Sequence, residues 1–333
     1  MNRSKELTVA LIFVLAGLAV CAWLMFGSAS GGLTYADADK YTVGEATVSG
    51  SVENLFVDWT AGQVNIEYHN GDGVIITEKA NQPLNEDDRL RWWLDGTTLR
   101  IRYAKPGFRI SFNLDKQLTV SLPADTVLKS ADISSTSGDL NIPGLVADEI
   151  RLGSTSGSIS AVTVTDKLTA SSTSGGITVR QGDTIGTVDL DSTSGSISCT
   201  LGANAAAVTA RSTSGSISLD AAGSVETVKL DSTSGSIYPS LASVGKAELS
   251  STSGSVDGVF SAFHDLKIGT TSGSVSVKLP ADPGFTCRVD STSGDFSTDL
   301  ALTKNGDTYT CGDGSAKCSI DTTSGSVRIG KAE

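Results

Sequence analysis

Residues 189–198 read DLDSTSGSIS, residues 209–218 read TARSTSGSIS and residues 229–238 read KLDSTSGSIY. The phrase returns at a spacing of twenty. Followed outward, Thr-Ser-Gly recurs from Ser135 to Ser326, with glycines at 138, 157, 175, 195, 215, 235, 254, 273, 294 and 325. A unit of this length cannot bury a core of its own, so the copies must stack and share one apolar interior, as in a solenoid.

The residues around each glycine alternate as strands do. Before the bend stand Leu152, Ala170, Leu190, Ala210, Leu230, Leu249, Ile268, Val289 and Ile320; after it stand Leu140, Ile159, Ile177, Ile197, Ile217, Ile237, Val256, Val275, Phe296 and Val327. Both series read as inward columns. Each coil is then two short strands meeting at the Ser-Thr-Ser-Gly bend, with return turns such as Gly202 to Ala207 and Ala221 to Ser224, and glycine is expected at the bend because it turns without a Cβ penalty. Equivalent strands would pair in parallel about 4.8 Å apart. The expected class is all-β: a parallel β-helix or β-solenoid with coils of about twenty residues, preceded by one N-terminal transmembrane helix.

The outward charges offer a check on the register. Asp191, Arg211 and Asp231 alternate in sign, as do Lys229, Glu248 and Lys267, and Asp132 faces Arg151 if the coils are stacked in register. Towards the far end, stacking in chain order would set Lys267 against Arg288 and Asp290 against Asp321.

The transmembrane expectation rests on the uncharged stretch Thr8 to Gly27, long enough to span a bilayer, with Arg3 and Lys5 before it. This places residues 1–27 as a cytoplasmic stub and anchor and the body outside the cell membrane, single-pass. A cleaved signal ending near Ala29 and lipid attachment at Cys21 are the rival readings, and all three export the body. Residues 28–46 read as a tether, 47–125 as an N-terminal β cap with the first coils, 126–296 as the repeat solenoid, and 297–333 as an inserted hairpin and C-terminal coil. Within the cap, Thr60-Ala61-Gly62 is a worn copy of the repeat, and strands are expected at Val74 to Glu78, Leu99 to Tyr103, Phe108 to Phe112 and Leu118 to Leu122.

The 333 residues include 36 glycines and 7 prolines and carry a formal charge of −12. Nucleic acid and anionic lipid headgroups are poor partners for such a chain. Of five cysteines, Cys199 falls in an inward column. Cys287, Cys311 and Cys318 are candidates for one disulfide outside the cell, with the pairing open: Cys287 and Cys318 share a column if their coils are adjacent, and a hairpin around Gly312-Asp313-Gly314 would bring Cys311 to Cys318.

The chain resembles the "putative adhesin" family, a domain of unknown function in bacterial cell-surface β-helical proteins, over roughly Ser51 to Ile329. The likeness is carried by Thr-Ala-Gly-Gln-Val-Asn-Ile at 60–66, Leu-Thr-Val-Ser-Leu-Pro at 118–123, the recurring Thr-Ser-Gly, and the closing Thr-Thr-Ser-Gly-Ser-Val-Arg-Ile. It implies a surface module, adhesin-like or associated with cell-envelope stress, and transfers no catalytic residue.

Chemistry is sparse. Acidic residues are scattered or alternate with bases, and the two histidines, His69 and His264, have no ligand grouping around them at metal spacing. No cofactor, metal or catalytic set is expected. The sharper feature is a hydroxyl column of Thr155, Thr173, Thr193, Thr213, Thr233, Thr252 and Thr271, a candidate binding face for a cell-envelope polymer, a glycan or a surface protein. The bland account is that the Ser and Thr hydroxyls alike satisfy backbone groups at the bend and stack on themselves. Alternatives are a polysaccharide-active enzyme on a β-helix, and a glycan- or ice-binding hydroxyl ladder.

Overall fold

The computed structural model describes residues 35–107, 114–183, 185–282 and 284–332. Among them the strands belong to one 27-stranded sheet, and the helical elements are two short 3-10 turns, Ala38–Lys40 and Glu86–Asp88. Alternation in sequence becomes alternation in burial: along Ile177–Gln181 the residues are buried, exposed, buried, exposed, buried. Ile177 lies opposite Ile197, which lies opposite Ile217 and then Ile237. On the other side of the bend Ala170, Leu190, Ala210, Leu230, Leu249 and Ile268 form the second ladder. Both columns are buried and meet in one continuous core.

The fold class expected from the repeat needs correction, because the strands do not form a plain succession of two-strand coils. Leu140–Ser154 and Ile217–Ser232 each run through both ladders, and with the six shorter strands between them they close a hydrogen-bonded barrel of eight strands. The reason is visible at Ala221 to Ser224, expected as a return turn. These small residues stay extended, and a register shift between Ala221 and Ser224 takes the corner instead. The transmembrane helix expected at Thr8 to Gly27 lies outside the described residues, and among the described residues no helix is long and apolar enough to cross a membrane.

The first bend glycine of the stack is the worn copy, Gly62. Asn54–Trp59 pairs in parallel with Leu128–Ser135, and Val64 pairs with Leu140, so residues between them leave the stack and return. Part of this excursion is antiparallel: Val74–Ala80 runs against Lys116–Pro123, and Arg91–Asp95 against Thr98–Arg102. The strand expected at Phe108 to Phe112 lies outside the described residues. Inside the cap Lys116 and Glu78, 0% and 3% exposed, form an ion pair at 2.6 Å. The Lys116 ammonium also donates to the carbonyls of Asp88 and Tyr103 and lies over the rings of Trp59 and Tyr103.

At the far end the repeats do not stack in chain order. The tenth repeat, Ala316–Thr322 and Val327–Lys331, inserts between the eighth, Phe263–Thr270 and Val275–Leu279, and the ninth, Gly284–Ser291 and Phe296–Thr298. Lys267 therefore faces Ser319, and so does Arg288 from the other side. Lys267 and Arg288, which chain order would have opposed, are thus kept apart by a serine, whereas Asp290 and Asp321 do meet as register partners. The hairpin of Thr303–Asn305 and Thr308–Gly312 then pairs antiparallel with Gly284–Arg288 and covers that edge.

Candidate functional site

The bend assigns different tasks to its hydroxyls. Ser192, Ser212, Ser232 and Ser251 are buried, and each accepts the amide of the glycine three residues on, at 2.9 Å. The serine before the threonine thus takes one of the backbone-satisfying roles expected of the hydroxyls. The glycine is required for space rather than for rotation: of the bend glycines only Gly62 has a positive φ, 83°. A Cβ on Gly215 would overlap the carbonyl oxygen of Gly195, and Gly195 stands in the same relation to Gly175.

The threonines are set in register by the amides of successive bends. Thr213 N–H donates to the Ser192 carbonyl at 3.2 Å, and Ser214 N–H to the Thr193 carbonyl at 3.0 Å. The same pair of bonds recurs at Thr155, Thr173, Thr193, Thr233, Thr252 and Thr271. All seven candidate residues thus lie in one column. Thr155, Thr173 and Thr193 are half-buried, whereas Thr213, Thr233, Thr252 and Thr271 are exposed. Beyond Thr271 the column continues through Thr323 to Thr292, because the tenth repeat is inserted.

There the surface sinks into a trough of about 430 Å³. Thr252, Thr271, Thr292 and Thr323 contribute to its wall together with Asp290 and Asp321. Gly269 leaves it open, since a Cβ there would meet nothing within 4 Å. Asp290 and Asp321 are register partners, each tied on its own strand: Asp290 to Arg288 at 3.2 Å, and Asp321 to the Ser319 hydroxyl at 3.0 Å. The trough was hidden from sequence, where the tenth repeat looked like the last in the stack.

A second hollow, about 220 Å³, lies at the cap among Phe56, Arg100, Asp132, Glu149 and Arg151. Burial raises the Asp132 carboxyl above its ordinary range, against the pull of Arg151. Trp92 packs on the core, whereas Trp93 stacks edge-on against Tyr41 with the Lys40 ammonium over it. His69 hydrogen-bonds the Gly73 carbonyl, and His264 is exposed. Among the described residues no three of His, Cys, Asp or Glu are grouped as a metal ion would need.

The disulfide expected among Cys287, Cys311 and Cys318 is not formed, and Cys199, Cys287, Cys311 and Cys318 are all free and buried. The hairpin does not bring Cys311 opposite Cys318. Cys311 pairs in register with Phe285, and its thiol points to the Ala281 carbonyl at 3.9 Å.

The Toastrack DUF4097 family matches residues 52–257 and 162–330. Solved structures with similarity include a "putative cell adhesion protein" from Clostridium sporogenes, 10% identical, covering 88% of this chain and 100% of its own, with a TM-score of 0.24. A "putative adhesin" from Bacteroides fragilis is 13% identical, covering 87% and 97%, with a TM-score of 0.36. A "putative lipid binding protein" from Parabacteroides distasonis is 11% identical, covering 87% and 96%, with a TM-score of 0.30. No curated protein matches the chain.

Proposed function

The chain belongs to the Toastrack DUF4097 family, and from that premise we propose that it is a non-enzymatic surface module that recognises a hydroxyl-rich envelope polymer along its threonine column. The observation that carries this reading is the continuity of the column, from Thr155 through Thr271 into the trough beside Asp290 and Asp321. Threonine hydroxyls repeated at one strand spacing meet successive sugar hydroxyls with small energies that add along a polymer. The trough gives one end a concave anchor, where carboxylates accept hydrogen bonds from hydroxyls or amines. Half-burial of Thr155, Thr173 and Thr193 and the hollow beyond Thr271 fit a flexible chain better than a flat ice lattice.

A second reading, a polysaccharide-cleaving site, is favoured only by the Asp290 and Asp321 pair, since such sites use two carboxylates. Release of reducing ends from a bound polysaccharide would support it over binding alone.

The test is a binding panel of purified envelope polysaccharides against the full chain and Gly269→Phe, which fills the trough where space exists for a side chain. We expect one polymer class to bind and the variant to lose about tenfold in affinity, about 1.4 kcal/mol. Equal affinity in the variant would remove the trough from the site.

A further inference from the structure

Cys287 and Cys318 are register partners on adjacent parallel strands, one in the ninth repeat and one in the inserted tenth. Paired strands lie about 4.8 Å apart, inside the Cα spacing of roughly 4.4–6.8 Å that a disulfide spans. Both side chains are buried on the core side. The Cys287 thiol donates to the Arg288 carbonyl at 3.7 Å, and the presence of Cys287 beside it, with burial, holds the Cys318 thiol well above the usual range.

We propose that Cys287 and Cys318 form a redox clasp: oxidised, they staple the inserted tenth repeat to the ninth. The location gives the bond a purpose. The chain leaves the eighth repeat at Leu279, builds the ninth and its hairpin, and only then threads residues 316–331 between them. Until that insertion the ninth repeat has no strand joining it to the stack. A bond closing the loop 288–317 would restrict the unthreaded chain and so favour the threaded one.

Two S–H bonds break and one S–S bond forms. The two protons and two electrons pass to a small disulfide oxidant such as oxidised glutathione, which is cleaved to two thiols. A buried, weakly acidic thiol supplies little thiolate, so the bond closes while the repeat is still inserting rather than in the finished fold.

The full chain, reduced and denatured, is refolded in a glutathione redox buffer; its thiols are then titrated in denaturant and its peptides mapped without reduction. Two of the five thiols should be lost, the mapped link should be Cys287 to Cys318, and melting should rise by several degrees over the reduced protein. Cys318→Ser should abolish link and shift together, while Cys311→Ser should keep both. A dominant link through Cys311, or five titratable thiols in folded protein, would overturn the proposal. Should a serine variant fail to fold, the link mapped in the unaltered chain decides alone.

Discussion

The backbone of Gly215 passes over that of Gly195 so closely that a β-carbon on Gly215 would occupy the space of the Gly195 carbonyl oxygen. The same approach recurs from Gly138 on Gly62 to Gly294 on Gly325, following the order of the repeats in space. Gly215→Ala should therefore cost about 1–3 kcal/mol, as overpacking does, although φ at this residue is not positive. Urea unfolding measures it, and a cost near zero would contradict the close approach of successive bends.

Ile217 is 0% exposed and lies between Ile197 and Ile237. Ile217→Asp removes its burial and puts a carboxylate in its place without a partner, a loss of at least about 4 kcal/mol. Thermal melting should show the loss, and an unchanged transition would refute the inward assignment of this column.

Lys116→Met should be at least as damaging. It leaves Glu78, 3% exposed, as a buried carboxylate whose remaining bonds come from the Leu90 amide. Removing one partner of a buried pair costs about 3–5 kcal/mol. The double variant Lys116→Met with Glu78→Leu should recover much of that loss, and a double variant no more stable than the single would show that the pair is not what the cap depends on.

Much of this was legible in the sequence because repetition averages out local ambiguity. The inward columns, the worn copy at Gly62 and the alternation of Asp191, Arg211 and Asp231 all follow from one spacing. What was not legible depends on long-range threading. No local pattern says that Ser319 separates Lys267 from Arg288, and so none locates the trough that this order creates. Likewise Lys116 and Glu78 are ordinary surface residue types, and only the antiparallel pairing of their strands shows them sharing an interior. At Ala221 to Ser224 small residues suggested a turn, but the cross-strand pairing kept them extended and closed the eight-strand barrel.

Tyr103 supplies a pH signature. Burial, with Glu78, Asp88 and Asp115 nearby, pushes its phenol up to about 12 from an ordinary value of 10.0. Below pH 10 both folded and unfolded chains hold the proton and the group adds no pH dependence. Between about 10 and 12 the folded chain keeps a proton that the unfolded chain has lost, so stability falls as pH rises. Tyr103→Phe should flatten that part of the alkaline stability profile, and an identical slope in the variant would assign it to other groups.

The most direct measurement is the affinity of the full chain for envelope polysaccharide fragments of increasing length, taken alongside the triple variant Thr213→Val, Thr233→Val, Thr252→Val, whose three threonines are exposed. Affinity should climb with fragment length as more bends are engaged, and the triple variant should lose that climb while melting as the unaltered protein does. Length-independent binding, or equal affinity in the triple variant, would contradict recognition along the threonine column.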